Sequence, residues 1–155
     1  MGTEIERKFL VVGDTWRARA KVERRLCQAY IARSAGAVVR VRIDASHGAV
    51  LTIKSSTPGL QRQEFEYDIP VADAEALVLL GDSAPIVKTR FEIPIGRHTW
   101  EVDVFDGVNA GLVIAEIELD RPDEAFDRPA WLGAEVTDDP RYYNAELAKR
   151  PFSTW

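Results

Sequence analysis

The chain is 155 residues long, enough for one domain with a sizeable core. Hydrophobic residues make up 46% and charged residues 29%, the balance of a soluble globular protein, and no run approaches the roughly 20 apolar residues of a membrane span. The net charge of −5 argues against a general nucleic-acid binder, and one cysteine, Cys27, excludes an internal disulfide framework or a thiolate zinc cluster.

In chain order, Met1 to Leu10 carries four charges and no apolar signal core, which predicts a cytoplasmic protein. A period of two dominates the chain. It predicts eight strands at about 3–11, 25–32, 38–44, 50–54, 62–69, 86–94, 98–105 and 112–119. A short helix is expected over Asp14 to Ala20, after the first strand. Turn signals stand at Ser34-Ala35-Gly36, Ser46-His47-Gly48, Ser55 to Gly59, Gly96 and Asp106-Gly107. A helix over Asp73 to Leu80 has Asp73 as its N-cap candidate and Gly81 as its stop. Arg141 to Lys149 is expected to form a C-terminal helix that ends before Pro151. Short spacings favour antiparallel neighbours, and no linker or repeat divides residues 1–155. The fold class is α+β, mostly β, as a single domain.

Alternate strand side chains share a face. In the first strand that face carries Glu4, Glu6 and Lys8, with Ile5 and Phe9 opposed. The third offers Arg40 and Arg42, the fourth Thr52 and Lys54, and the fifth Arg62, Glu64, Glu66 and Asp68. The sixth offers Lys88, Arg90 and Glu92, the seventh Glu101 and Asp103, and the eighth Glu116 and Glu118. A sheet with one wet face shows the same alternation, and periodicity does not distinguish an outward charged face from an inward one. Two features favour the lumen: seven of the eight strands repeat the charges, and Leu77, Leu80 and Leu147 could cover the outside of a barrel.

An inward face would have direct chemical consequences. Eight strands enclose room for one small ligand. Lys8, Arg40, Arg42, Lys54, Lys88 and Arg90 would form a cationic cage, with arginines suited to bidentate phosphate contacts. Glu4 and Glu6 stand ~7 Å apart along their strand, as do Glu116 and Glu118. Such carboxylate pairs suit Mg2+ or Mn2+ when phosphate oxygens and waters complete the shell.

The run Glu4-Ile5-Glu6-Arg7-Lys8 resembles the Glu-x-Glu-x-Lys signature of the CYTH superfamily, the triphosphate tunnel metalloenzymes. Arg40-x-Arg42, Thr52-Ile53-Lys54, Glu64-x-Glu66, Lys88-x-Arg90, Glu101-x-Asp103 and Glu116-x-Glu118 resemble its successive tunnel strands. The run Trp131 to Thr137, followed by Asp138, Tyr142 and Asn144, is similar to the C-terminal part of short bacterial members, so the likeness spans nearly the whole chain. It implies a closed eight-stranded antiparallel barrel with helices packed outside and a C-terminal helix. It also implies metal-dependent hydrolysis of inorganic tripolyphosphate, with a class IV-type adenylyl cyclase, a thiamine triphosphatase and a non-catalytic polyphosphate- or nucleotide-binding module as rivals. By the resemblance, Glu116 and Glu118 hold the metal that touches the triphosphate. Glu4 and Glu6, sharing Glu118, hold a second ion that activates water. Lys88 orients that water or polarises the scissile phosphate; its structural alternative is a salt bridge to Glu64 or Glu101. Glu64, Glu66, Glu101, Asp103 and Tyr30 are lumen-support candidates, although Tyr30 reads slightly better as a core aromatic. The partner expected is a small triphosphate, with no nucleic acid and no membrane; a homodimer is compatible.

One departure is Ala29 before Tyr30, where family members more often have glycine. Cys27 reads as a buried structural thiol, and His47 and His98 as surface residues. Asp139, with Asp138, reads better as a cap for the helix from Arg141 than as a metal ligand.

Overall fold

Alternating apolar and charged residues build one sheet in the computed structural model, which describes residues 2–56 and 61–155. Its strands are β1 (Gly2–Val11), β2 (Val22–Arg33), β3 (Ala37–Asp44), β4 (Gly48–Ser55), β5 (Gln61–Ile69), β6 (Ile86–Ile95), β7 (His98–Phe105), β8 (Val113–Glu118) and β9 (Leu132–Glu135). They lie in the order β5-β4-β3-β2-β6-β7-β8-β1-β9, every neighbouring pair antiparallel. Pairing of β5 with β1 closes the first eight into a barrel. All eight predicted strands are present, and β9 is an addition that the alternation did not announce. It lies against β1, where a Cβ on Gly133 would come within 3.0 Å of the Leu10 carbonyl oxygen, so glycine permits the approach.

The helices fall close to their predicted places with three corrections. Helix α1 is Val71–Val78, and Pro70 rather than Asp73 occupies its N-cap, so Asp73 lies in the first turn. There its carboxylate still faces the positive end of the helix dipole. The segment after β1 is 3-10 over Thr15–Arg19. The C-terminal helix is broken into a 3-10 turn at Pro140–Tyr142 and a short helix, α2 (Asn144–Leu147), because Tyr143 between them is extended. Of the turn expected at Ser55 to Gly59, residues 57–59 lie outside the described residues.

The oily rows face outward, and most of them are covered, Tyr67 of β5 being the exception at 55% exposure. Ile5, Phe9, Ile93, Trp100, Val102 and Ile117 form the largest core with Trp16 of the 3-10 turn, Leu119 and Trp131. Phe9 and Trp100 meet edge to face at 5.6 Å, and Trp131 meets Trp100 at 5.7 Å. Each large apolar side chain buried in this way stabilises the fold by roughly 1.5–3 kcal/mol. Ala74, Leu77 and Val78 of α1 cover Val41 and Ala49 on the far side. Inside, one end of the barrel is partly plugged by Ile86, Phe105 and Ile114, over which Leu147 of α2 is fully buried. No helix is long and apolar enough to cross a membrane.

Candidate functional site

Strand register settles the direction of the charged rows. Residues opposite one another across a ladder share a face. Glu6 faces Glu118, Lys8 faces Glu116, Glu101 faces Glu116, Arg90 faces Asp103, and Lys54 faces Glu64. Because the intervening apolar residues pack outside, these charges all point into the lumen.

They surround a cavity of ≈ 910 Å³. Its lining includes Glu4, Glu6, Lys8, Tyr30, Arg40, Arg42, Lys54, Glu64, Glu66, Lys88, Arg90, Glu101, Glu116 and Glu118. Every predicted site residue is therefore brought together except Asp103, which lies beneath the lining with no exposure. Tyr30 satisfies both readings, since it packs beside Ile86 and Phe105 and also borders the cavity. Ala29, in the position of the missing glycine, is buried beside Gly81, and even a Cβ added at 81 would meet it only at 3.5 Å, an ordinary contact, so the alanine is accommodated without crowding.

The deepest charges form a network around two carboxylates. Asp103 accepts from Lys88 Nζ at 2.5 Å and from Arg90 Nε and Nη2 at 2.7 and 2.8 Å. The salt bridge that stood as the alternative for Lys88, to Glu64 or Glu101, is made instead to Asp103, which lies diagonally across the ladder from Lys88; Arg90 is the partner of Glu101, at 2.5 Å. Glu116 accepts from Lys8 Nζ at 2.6 Å and from Arg90 Nη2 at 3.3 Å. Burial pushes the Glu116 carboxyl upward, but Lys8, Arg90 and Lys88 outweigh it and hold the group well below the usual range. Burial likewise works against the Lys8 ammonium, and Glu116 and Glu6 overcome it. Lys88 is different: burial pulls its ammonium down to about 8, assisted by Arg90 and opposed by Asp103.

Away from that network the charges separate into two poles. On the carboxylate side, burial together with Glu116 lifts Glu6 to about 7, against the pull of Lys8. Burial, Glu4, Glu101 and Glu64 raise Glu118. Lys54 binds Glu4 at 2.8 Å and Glu64 at 3.4 Å. On the cationic side, burial and the neighbouring Arg40 and Arg90 lower the Arg42 guanidinium, and its ion-pair distance to Glu66 is 3.9 Å. Arg40 donates to Thr52 at 3.1 Å, while its buried Nε has no hydrogen-bond partner among the described residues. Crowded carboxylates favour an added cation, and crowded guanidiniums favour an added anion.

Several residues at the site were not among the candidates that the sequence offered. Arg33, Arg62, Thr137, Tyr143 and Asn144 border the mouth of the cavity. Arg62 sits over the Tyr143 ring, and Lys88 Nζ reaches Asn144 Oδ1 at 3.1 Å. The alternation does place Arg62 on the inward face, and the resemblance names Thr137 and Asn144 without giving them a role. The others come from the C-terminal segment and a hairpin tip, where no period operates. His98 is corrected from a surface residue: its Nε2 lies 2.7 Å from Glu124 Oε1, and both border a second cavity of ≈ 380 Å³ that shares Glu101 and Glu118 with the first. Cys27 is half-buried with its thiol pushed up by burial, and Asp139 caps the 3-10 turn by accepting from the Arg141 amide.

Comparison with known proteins gives the same picture. Residues 2–149 match the CYTH domain. An inorganic triphosphatase of Acetivibrio thermocellus is 46% identical over 157 aligned residues, covering 100% of this chain and 99% of the relative. One from Nitrosomonas europaea is 37% identical, covering 94% and 97%. A solved inorganic triphosphatase superposes with a TM-score of 0.68 at 33% identity, over 96% of this chain and 95% of that one. A Pyrococcus horikoshii structure with a TM-score of 0.61 at 19% identity, covering 77% of this chain and 80% of its own, shares the fold alone. With its family match, full-length relatives and charged lumen in agreement, this chain is a member of the CYTH domain family.

Proposed function

We propose that the protein hydrolyses inorganic tripolyphosphate to pyrophosphate and phosphate inside this lumen, with Mg2+ or Mn2+. The observation that carries the reading is the bipolar cavity: Arg40, Arg42 and Arg90 crowd one another on one side, while Glu4, Glu6, Glu64 and Glu118 crowd on the other. A metal-loaded triphosphate supplies both missing charges. The activity named for relatives of 46% and 37% identity supports the same choice.

The donor set fits a hard divalent cation, being all carboxylate oxygen. Among the described residues no group of three metal-binding side chains is already assembled, because Lys54 holds Glu4 and Lys8 holds Glu6 and Glu116. Glu116 and Glu118 would hold one ion, and Glu4 and Glu6, sharing Glu118, a second. When bound, such ions supply charge neutralisation and a more acidic water.

The chain's own residues account for the remainder. Lys8, Arg40, Arg42, Lys54 and Arg90 grip phosphate oxygens, and phosphoryl transfer depends mainly on that positioning and neutralisation. The Lys88 ammonium, fixed by Asp103, faces the terminal phosphoryl group as it is transferred. Water oxygen joins the terminal phosphorus while its bond to the bridging oxygen breaks, and pyrophosphate leaves. A small triphosphate is the only partner this scheme needs. A cytoplasmic setting, in which Cys27 stays a free thiol, belongs to the same proposal.

Phosphate release should be measured with tripolyphosphate, ATP and thiamine triphosphate, each with and without metal. Turnover of tripolyphosphate that requires Mg2+ or Mn2+ is expected. Binding without turnover would mark a non-catalytic module, and cyclic AMP from ATP would mark a cyclase.

A further inference from the structure

We propose that Asn144 is a positioning residue for the tunnel chemistry: its Oδ1 fixes the Lys88 ammonium, so the C-terminal segment completes the reactive site rather than merely closing the barrel. The inference rests on the proposed triphosphatase reading and adds a residue to it.

Lys88 is 1% exposed, and its ammonium has three donors to place. One goes to Asp103 at 2.5 Å and one to Asn144 Oδ1 at 3.1 Å. The ring of Phe105 lies 5.3 Å from Nζ and walls off another side. With both acceptors engaged, one N–H is left to aim into the cavity that Lys88 and Asn144 both border. Without Asn144 the ammonium keeps one anchor and can swing about it.

The local structure of Asn144 supports a role beyond helix making. Asparagine near a helix start commonly uses its side chain to cap the backbone. Here Tyr143 is the N-cap, no side chain caps α2, and the Asn144 carbonyl accepts from the Ala148 amide. Its side-chain oxygen is given to Lys88 instead. The segment is pinned close by: the Lys8 amide donates to Thr137 Oγ1 at 3.0 Å, Tyr143 OH donates to the Thr137 carbonyl at 2.9 Å, and Arg33 bonds the Ala145 carbonyl. Asn144 is thereby held at a fixed height over the lumen.

The test compares Asn144→Ala and Asn144→Asp with the unaltered protein. Loss of the acceptor should lower kcat roughly ten- to a hundredfold with a smaller change in KM, the scale of a misplaced catalytic group. Aspartate preserves shape and suits a first helical turn, so it guards against misfolding. It places a carboxylate beside an ammonium already faced by Asp103 of β7, Arg90 of its own strand, and Glu116 and Glu101 at longer range. The alkaline limb of kcat/KM should then move upward by roughly 1–3 pH units. In a Lys88→Arg background the same change should move no limb. Wild-type kcat and an unmoved limb in both variants, whatever happens to Tm, would overturn the proposal. Absence of turnover by the unaltered protein would instead defeat the triphosphatase reading.

Discussion

Glu6 of β1 stands directly opposite Glu118 of β8, so two carboxylates face one another across an antiparallel ladder. Like charges in that relation destabilise a sheet unless something lies between them. Glu6 has Lys8 at 2.9 Å, whereas Glu118 has no ion-pair partner among the described residues. The arrangement makes sense when a cation occupies the gap. Glu118→Gln should then lower phosphate release by at least ~100-fold, in the range seen when a transition-state charge partner is removed. In metal-free buffer its Tm should stay level or rise slightly, since a repulsion has been deleted. Full activity in this variant would show that the carboxylate assignment is wrong.

Metal should also stabilise the protein without any substrate. A ligand at a hundred times its Kd adds about 2.7 kcal/mol, and a chain of this size gains roughly 2–4 °C per kcal/mol. Saturating Mg2+ or Mn2+ should thus raise Tm by roughly 5–11 °C in a thermal melt. A chelator should reverse the shift, and Glu6→Gln with Glu118→Gln should abolish it. A melt indifferent to both ions would contradict a metal site in this lumen.

Lys88 gives a pH dependence of unusual sign. Burial has brought its ammonium to about 8 from an ordinary 10.5. Because kcat/KM reports the free enzyme, it should decline as pH rises through about 8 if the charged form acts on phosphate. The limb for kcat should lie higher, since bound phosphate favours the ammonium. Lys88→Arg should remove both limbs. In stability the folded chain binds fewer protons here than the unfolded chain between about 8 and 10.5. The group is therefore a penalty at neutral pH, and the penalty fades as pH rises across that window. A kcat/KM profile that climbs through pH 8 would assign Lys88 the role of a base instead.

Asp103 is the fixed point under the lysine. With no exposure and bonds to both Lys88 and Arg90, its replacement by asparagine leaves the buried Lys88 ammonium without its carboxylate and Arg90 with Glu101 and Glu116 alone. Breaking such a cluster from one side costs roughly 3–5 kcal/mol. Asp103→Asn should lower Tm by roughly 6–20 °C and cut turnover at temperatures where it is still folded. Wild-type melting would show that the buried pair is dispensable.

The charged rows were legible because register converts alternation into geometry. Once β1 and β8 pair, Glu4, Glu6, Lys8, Glu116 and Glu118 must share a surface. Whether that surface was lumen or exterior was not legible, since period two is the same either way. What decided it is long-range: Trp16 and Trp131 arrive from loops to cover the outer row. Asp103 could be read as inward but not as the anchor of Lys88, because that depends on which of several carboxylates lies nearest in space. Asn144 lay in a segment without periodicity, and β9 was too short to declare one; His98 opens a periodic strand, but alternation does not announce a partner such as Glu124 that arrives from a loop. The C-terminal helix failed as a single element because the extended Tyr143 divides it, an effect of packing that propensity does not record.

The cylinder has a seam. Among the described residues, β1 meets β5 over the shortest ladder of the eight-strand closure, from Gly2 beside Glu64 to Ile5 beside Gln61. Glu4 lies on that joint and is tied to Lys54 on the next strand over. Amides along the seam should exchange with deuterium sooner than those of the long β6–β7 ladder. Any occupant that bridges Glu4 and Lys54 acts as a clasp, so filling the lumen also fastens the wall that contains it.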